Sequence, residues 1–86
     1  MNHVNEVFLI RYDDTQYVKG DAFWPQLTGR MPDAARLDSL KSAKAYVKTA
    51  TPRLKKEGFK GELKIVKAIA ERDENFNLVS IKEVKS

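Results

Sequence analysis

The sequence predicts an α+β domain: an antiparallel-rich sheet of four strands, with room for a fifth, and one kinked or broken helix packed across one face, in the order ββ(β)αββ. Three observations predict it. The stretch 38–59 carries apolar residues at helical spacing, two runs of branched and aromatic residues precede it, and two more follow it. Each pair of runs is joined by acidic and hydroxyl or amide residues that form turns by bonding their own backbone.

The helix is the element around which the rest is arranged. Leu40, Ala43, Val47, Ala50 and Leu54 recur at spacings of three and four, which gathers them into one stripe bordered by Tyr46. Asp38 or Ser39 can accept a hydrogen bond from a first-turn amide, and Gly58 can take the left-handed conformation that closes the last turn. Closure at Gly58 folds Phe59 back onto Leu54. Pro52 has no amide to offer the Lys48 carbonyl, so a break or kink is expected near Ala50: either the helix bends there, or it ends and a second short helix starts with Thr51 as cap and Pro52 at its first position. Because the stripe continues through Leu54, both pieces are expected to face the same sheet.

Residues 6–12 read as the first strand, with Phe8, Ile10 and Tyr12 on one face and Val7, Leu9 and Arg11 on the other. Asp13, Asp14 and Thr15 turn the chain into a returning strand over 16–19, which Gly20 ends. Trp24-Pro25, Gly29 and Met31-Pro32 make 21–33 a long connection, and 34–37 is long enough for a brief third strand. The longest strand is expected over 62–71, with Leu63, Ile65, Lys67 and Ile69 on one face and Lys64, Val66, Ala68 and Ala70 on the other. Asp73, Glu74 and Asn75 supply the next turn, and 78–84 returns as the last strand. The strands are apolar on part of both faces, so the side not taken by the helix needs a cover: the 21–33 loop, a second copy of the chain in a homodimer, or a partner.

Eighty-six residues make a single domain spanning 1–86, and a chain of this length buries only about 60 to 65% of its unfolded surface. A thin core leaves little room for a buried catalytic cleft. There is no cysteine, which excludes a disulfide framework, a thiol nucleophile and a thiolate metal site. No apolar run approaches the roughly 20 residues that span a bilayer, and the N-terminus lacks the basic and apolar regions of a secretory signal, so no membrane association and a cytoplasmic setting are expected. The charge is unevenly placed. Residues 39–67 hold nine bases and two acids, a net +7, against seven bases and ten acids elsewhere, a net −3. Such a polarised field favours polyanions or acidic protein surfaces.

Several local features resemble short accessory proteins encoded by bacteriophages and prophages: apolar strands in a hairpin, a loop tryptophan at Trp24, the Ala35-x-Leu37-x-Ser39 lead-in to a helix bearing Ala43 and Tyr46, and the Lys64-Ile65-Val66 strand. The segment 26–31 and Pro52 depart from the simplest form of that pattern. The resemblance implies a non-enzymatic protein, in a group that includes small inhibitors of host enzymes and of bacterial defence systems such as anti-CRISPR proteins. It assigns no functional residue.

Nothing in the chain assembles a catalytic constellation. The only histidine is His3, expected in a frayed terminus, and the adjacent carboxylates Asp13-Asp14 and Asp73-Glu74 belong to turns, where neighbours point apart. Ser39, Ser42 and Ser80 have no base, and the four glycines form no phosphate-cradling motif. No enzyme activity, metal or cofactor is expected. Two surface signals remain. Lys41, Lys44, Lys48 and Lys55 line one helix face and can follow a phosphate backbone or serve only as a solvated surface. Phe23 and Trp24 can cover an exposed part of the sheet, the preferred reading in so thin a core, or anchor a protein partner. The expected function is protein binding, as an inhibitor of a host or defence protein. Non-specific nucleic-acid binding by the lysine face is the alternative.

Overall fold

The computed structural model describes residues 2–84. It contains five strands, β1 (His3–Arg11), β2 (Tyr17–Lys19), β3 (Gln26–Thr28), β4 (Lys64–Arg72) and β5 (Leu78–Glu83), with one helix, α1 (Leu40–Lys56), between β3 and β4. The sheet is antiparallel throughout, in the spatial order β3-β2-β1-β4-β5. The expected α+β class and element order are therefore present. The third strand, however, lies at Gln26–Thr28 inside the expected connection. The 34–37 segment makes only an isolated bridge, in which Leu37 and Phe8 exchange backbone bonds of 2.9 and 2.8 Å. Pro25 and Gly29 bracket β3 without interrupting it, which is why a loop-like composition conceals a three-residue edge strand.

The alternating faces of β1 and β4 divide the interior into two cores. On the helix side, Ile10 and Val18 pack with Ala43, Tyr46, Ala50 and Leu54. On the other side, Val7, Leu9, Tyr17, Ala34, Ala68 and Ala70 form a second cluster joined by Met31, Val66, Leu78 and Ile81. This second core is covered by the chain itself. A 3-10 turn at Met31–Asp33 leans on β5, and the sheet curls until Tyr17 of β2 donates its hydroxyl to the Glu83 carboxylate of β5 at 3.1 Å. On a flat sheet those strands stand three spacings apart, about 14 Å. Arg11 strengthens the closure by an ion pair to Glu83 at 3.0 Å while its other nitrogens donate to the Asp13 and Asp14 carbonyls.

The helix corrects the sequence reading in three places. Of the two alternatives expected near Ala50, the break is absent: α1 runs as a single 17-residue helix with Pro52 inside it. Burial of Ala50 and Leu54 on either side of the proline holds that turn against the lost bond, which costs about 3 kcal/mol. Tyr46 is a member of the buried stripe, whereas Leu40 at its head is 46% exposed. The ends follow expectation: Ser39 caps the first turn by accepting from the Ser42 amide, and Gly58 takes φ +98°. The terminus is also more ordered than expected, because His3 pairs with Arg72 in the β1–β4 ladder and its ring stacks on Phe76 with centroids 4.8 Å apart.

Candidate functional site

The turns account for the adjacent carboxylates. Asp13 accepts from the Thr15 and Gln16 amides, and Asp73 from the Asn75 and Asn77 amides. These bonds, led by the Thr15 amide at Asp13 and the Asn77 amide at Asp73, hold both carboxyls below the usual carboxylate range. Among the described residues, no three His, Asp or Glu side chains converge as metal ligands, and no helix is long and apolar enough to cross a membrane. One depression, about 690 Å³, sets Glu6 and Asp38 against Arg36 and Arg72. Its guanidiniums are already engaged, Arg36 with the Pro32 carbonyl and Arg72 with that of Phe76.

The loop after β2 is built to display two aromatic rings. Tyr46 on the helix donates its hydroxyl to the Gly20 carbonyl at 2.8 Å, which fixes the loop's start where Gly20 turns at φ +82°. Asp21 then shapes the next turn, its carboxylate accepting from the Phe23 amide at 2.8 Å and its carbonyl from the Trp24 amide at 3.0 Å. Pro25 is buried and anchors the far end. Between these fixed points Phe23 is 56% exposed and Trp24 77% exposed. Trp24 therefore does not cover the sheet, contrary to the preferred sequence reading; the curl of the sheet and the Met31–Asp33 turn perform that task instead.

The helix brings a cation to this pair. The Arg53 guanidinium lies 5.1 Å from the Phe23 ring centre and 6.0 Å from that of Trp24, within the range of cation–π attraction. Two shallow grooves adjoin the indole. One, about 370 Å³, runs along Phe23, Trp24, Pro25, Arg53, Lys56 and Glu57. The other, about 360 Å³, lies between Trp24, Pro25, Gln26 and Leu27 on one side and Glu57 and Phe59 on the other. Sequence reading found the two aromatics but missed Arg53. Its position immediately before Leu54 puts it on the shoulder of the buried stripe, where a helix residue meets whatever loop borders the sheet.

The lysines form a separate surface. At 100° per residue, Lys41, Lys44, Lys48 and Lys55 fall within an arc of about 60° on the side of α1 away from the buried stripe. All four are exposed, and none makes an ion pair among the described residues. The structure thus keeps the lysine stripe and the aromatic pair apart and links the aromatics to Arg53 and Lys56. No protein-family model, curated protein or solved structure matches this chain.

Proposed function

We propose that this chain is a non-enzymatic protein-binding module, acting as an inhibitor or adaptor of the phage-encoded type in the bacterial cytoplasm, and that Phe23, Trp24 and Arg53 are its anchor. The carrying observation is the exposure of Trp24 on a turn fixed at both ends, with a guanidinium over its face. Tryptophan, arginine and aromatic side chains supply a disproportionate share of binding energy at interfaces, and a pre-set loop loses little entropy when it docks. Arg53 and Lys56 make the rim basic, so the complementary partner surface is acidic. The phage-type role is supported by the strand, helix and Trp24 pattern described above.

Capture from a bacterial lysate tests this reading. A partner recovered in stoichiometric amount by the parent and by Lys48→Ala, but lost with Trp24→Ala, is the expected result. Recovery of nothing stoichiometric, or of nucleic acid alone, counts against it. The second reading, a nucleic-acid-binding accessory protein, is favoured by one observation: four exposed ammonium groups, in no ion pair among the described residues, follow one face of α1.

A further inference from the structure

β3 is an edge strand, and the hydrogen-bond pattern shows which of its backbone groups face outward. The Tyr12 amide donates to the Gln16 carbonyl at 2.9 Å beside the Arg11–Tyr17 pair, which turns the next residue of β2, Val18, toward β1. The Val18 carbonyl accordingly accepts from Ala35, in the segment that continues along β1, at 3.0 Å. Val18 is paired with Leu27 of β3. A residue turned toward β1 is turned away from β3, so in this antiparallel pair Leu27 also points its N–H and C=O away from β2, toward the open edge. No partner meets them among the described residues.

The Leu27 side chain joins the helix-side core, beside the groove between Trp24 and Phe59. A strand added at this edge would therefore bond Leu27 through its backbone and send alternate side chains into that groove. Pro25 has no amide, which limits how far such a strand can slide. The charged side chains lining the two grooves are the bases Arg53 and Lys56, neither in an ion pair among the described residues, and the acid Glu57, while Asp21 in the turn itself has its carboxylate bonded to the Phe23 amide. The opposite edge, β5, is longer, but Lys82 stands exposed on it and Glu83 is spent on Arg11 and Tyr17.

We infer that β3 accepts an extended acidic segment of a partner protein as a sixth strand, seating one apolar side chain between Trp24, Leu27 and Phe59 while flanking carboxylates meet Arg53 and Lys56. This rests on the reading of the aromatic turn as a protein-binding surface.

The test pans a displayed library of random twelve-residue peptides against the full chain. Selected sequences should place Asp or Glu around Val, Ile or Leu, and their synthetic copies should shift the Leu27 amide and Trp24 indole signals in ¹⁵N spectra. Leu27→Pro, which removes an amide that β2 does not use, should weaken binding at least tenfold, and Lys82→Ala, on the opposite edge of the sheet, should stay within threefold of the parent. N-methylation of the peptide residue opposite Leu27 makes the same test on unaltered protein and should also cost at least tenfold. Peptides that lose binding with Trp24→Ala yet tolerate N-methylation would sink strand addition while leaving the protein-binding reading intact. A library without binders, or without acidic bias among them, would overturn the inference. A single-stranded DNA that shifts Leu27 and Trp24 where no peptide does would overturn both.

Discussion

The Phe59 amide donates to the Leu54 carbonyl at 3.1 Å, spanning the left-handed Gly58, whose own amide donates to Lys55 at 3.0 Å. These two bonds close the helix in a Schellman motif and bring Phe59 into the helix-side core with Leu54. The same closure places Phe59 against Tyr12, whose ring meets it edge-on at 5.7 Å, and across the groove from Trp24. One backbone turn therefore contributes to both the core and the proposed binding surface.

Removing the Leu54 side chain should expose how much that closure carries. Leu54 is 3% exposed, so Leu54→Ala is expected to cost about 2 to 5 kcal/mol, a large share of the stability of a domain this small. Gly58→Ala should cost about 1 kcal/mol, because alanine is strained at φ +98° even though nothing crowds the site. Lys55→Ala, on the exposed face, should change stability by less than about 0.5 kcal/mol. Denaturant melts of the three variants check the ordering, and a Leu54→Ala that melts like the parent would contradict it.

Pro52 makes a prediction of opposite sign. It sits inside a continuous helix, where it leaves the Lys48 carbonyl without its amide donor, and it is itself exposed. Pro52→Ala restores that bond with no loss of packing. Stability should rise by about 1 to 3 kcal/mol, reduced by the extra freedom of the unfolded chain. A fall in the unfolding midpoint would mean that the proline is needed where it stands.

What was legible in the sequence follows the strength of the local signal. Helix ends marked by Ser39 and Gly58, and strands alternating over several residues in β1 and β4, were readable because each residue there states one periodicity. β3 was not, because three residues between a proline and a glycine carry no period. The unbroken passage through Pro52 was also hidden, since burial of Ala50 and Leu54 by the sheet overrides a local preference. The aromatic pair was visible as residues but not as a site: its exposure depends on Tyr46 holding Gly20 and on the curl that covers the second core without it, both of them long-range facts.

Tyr46 should make the fold sensitive to alkali. Burial, assisted by the Asp21 charge, pushes its hydroxyl from 10.0 up to about 12. Below pH 10 both folded and unfolded chains keep the proton and the contribution is complete. Between 10 and about 12 the unfolded chain releases it first, so stability falls with rising pH through that window. Tyr46→Phe should be destabilised by about 0.5 to 1.5 kcal/mol near neutrality, through loss of the bond to Gly20, yet show a shallower decline above pH 10. Some slope should persist, because burial and then the bond to Glu83 also raise the Tyr17 hydroxyl. Urea titrations at neutral and alkaline pH measure the difference; equal slopes for parent and variant would refute the assignment.

The aromatic turn should separate binding from stability. Because Trp24 is 77% exposed, Trp24→Ala is expected to shift unfolding by less than about 0.5 kcal/mol while weakening partner binding by at least about 2 kcal/mol. Arg53→Lys keeps the charge but loses the planar guanidinium over the rings and should fall between parent and Trp24→Ala. Thermal melts alongside affinity measurements distinguish this from a structural role, in which both quantities would decline together.

The lysine stripe yields the last prediction, and it is quantitative. If Lys41, Lys44, Lys48 and Lys55 each neutralise one phosphate, the logarithm of duplex affinity should fall against the logarithm of salt with a slope near about −3.6, from about −0.9 per contact. Lys48→Ala should then flatten the slope by about one contact, similarly for all duplex sequences, because a phosphate contact reads charge rather than base identity. Trp24→Ala should leave the slope unchanged, since the aromatic turn borders Arg53 and Lys56 rather than these four residues. Fluorescence anisotropy with a labelled duplex over a salt series measures all three. Absence of binding at low salt would eliminate the nucleic-acid reading, and a slope that ignores Lys48→Ala would move the phosphate contacts off this face of the helix.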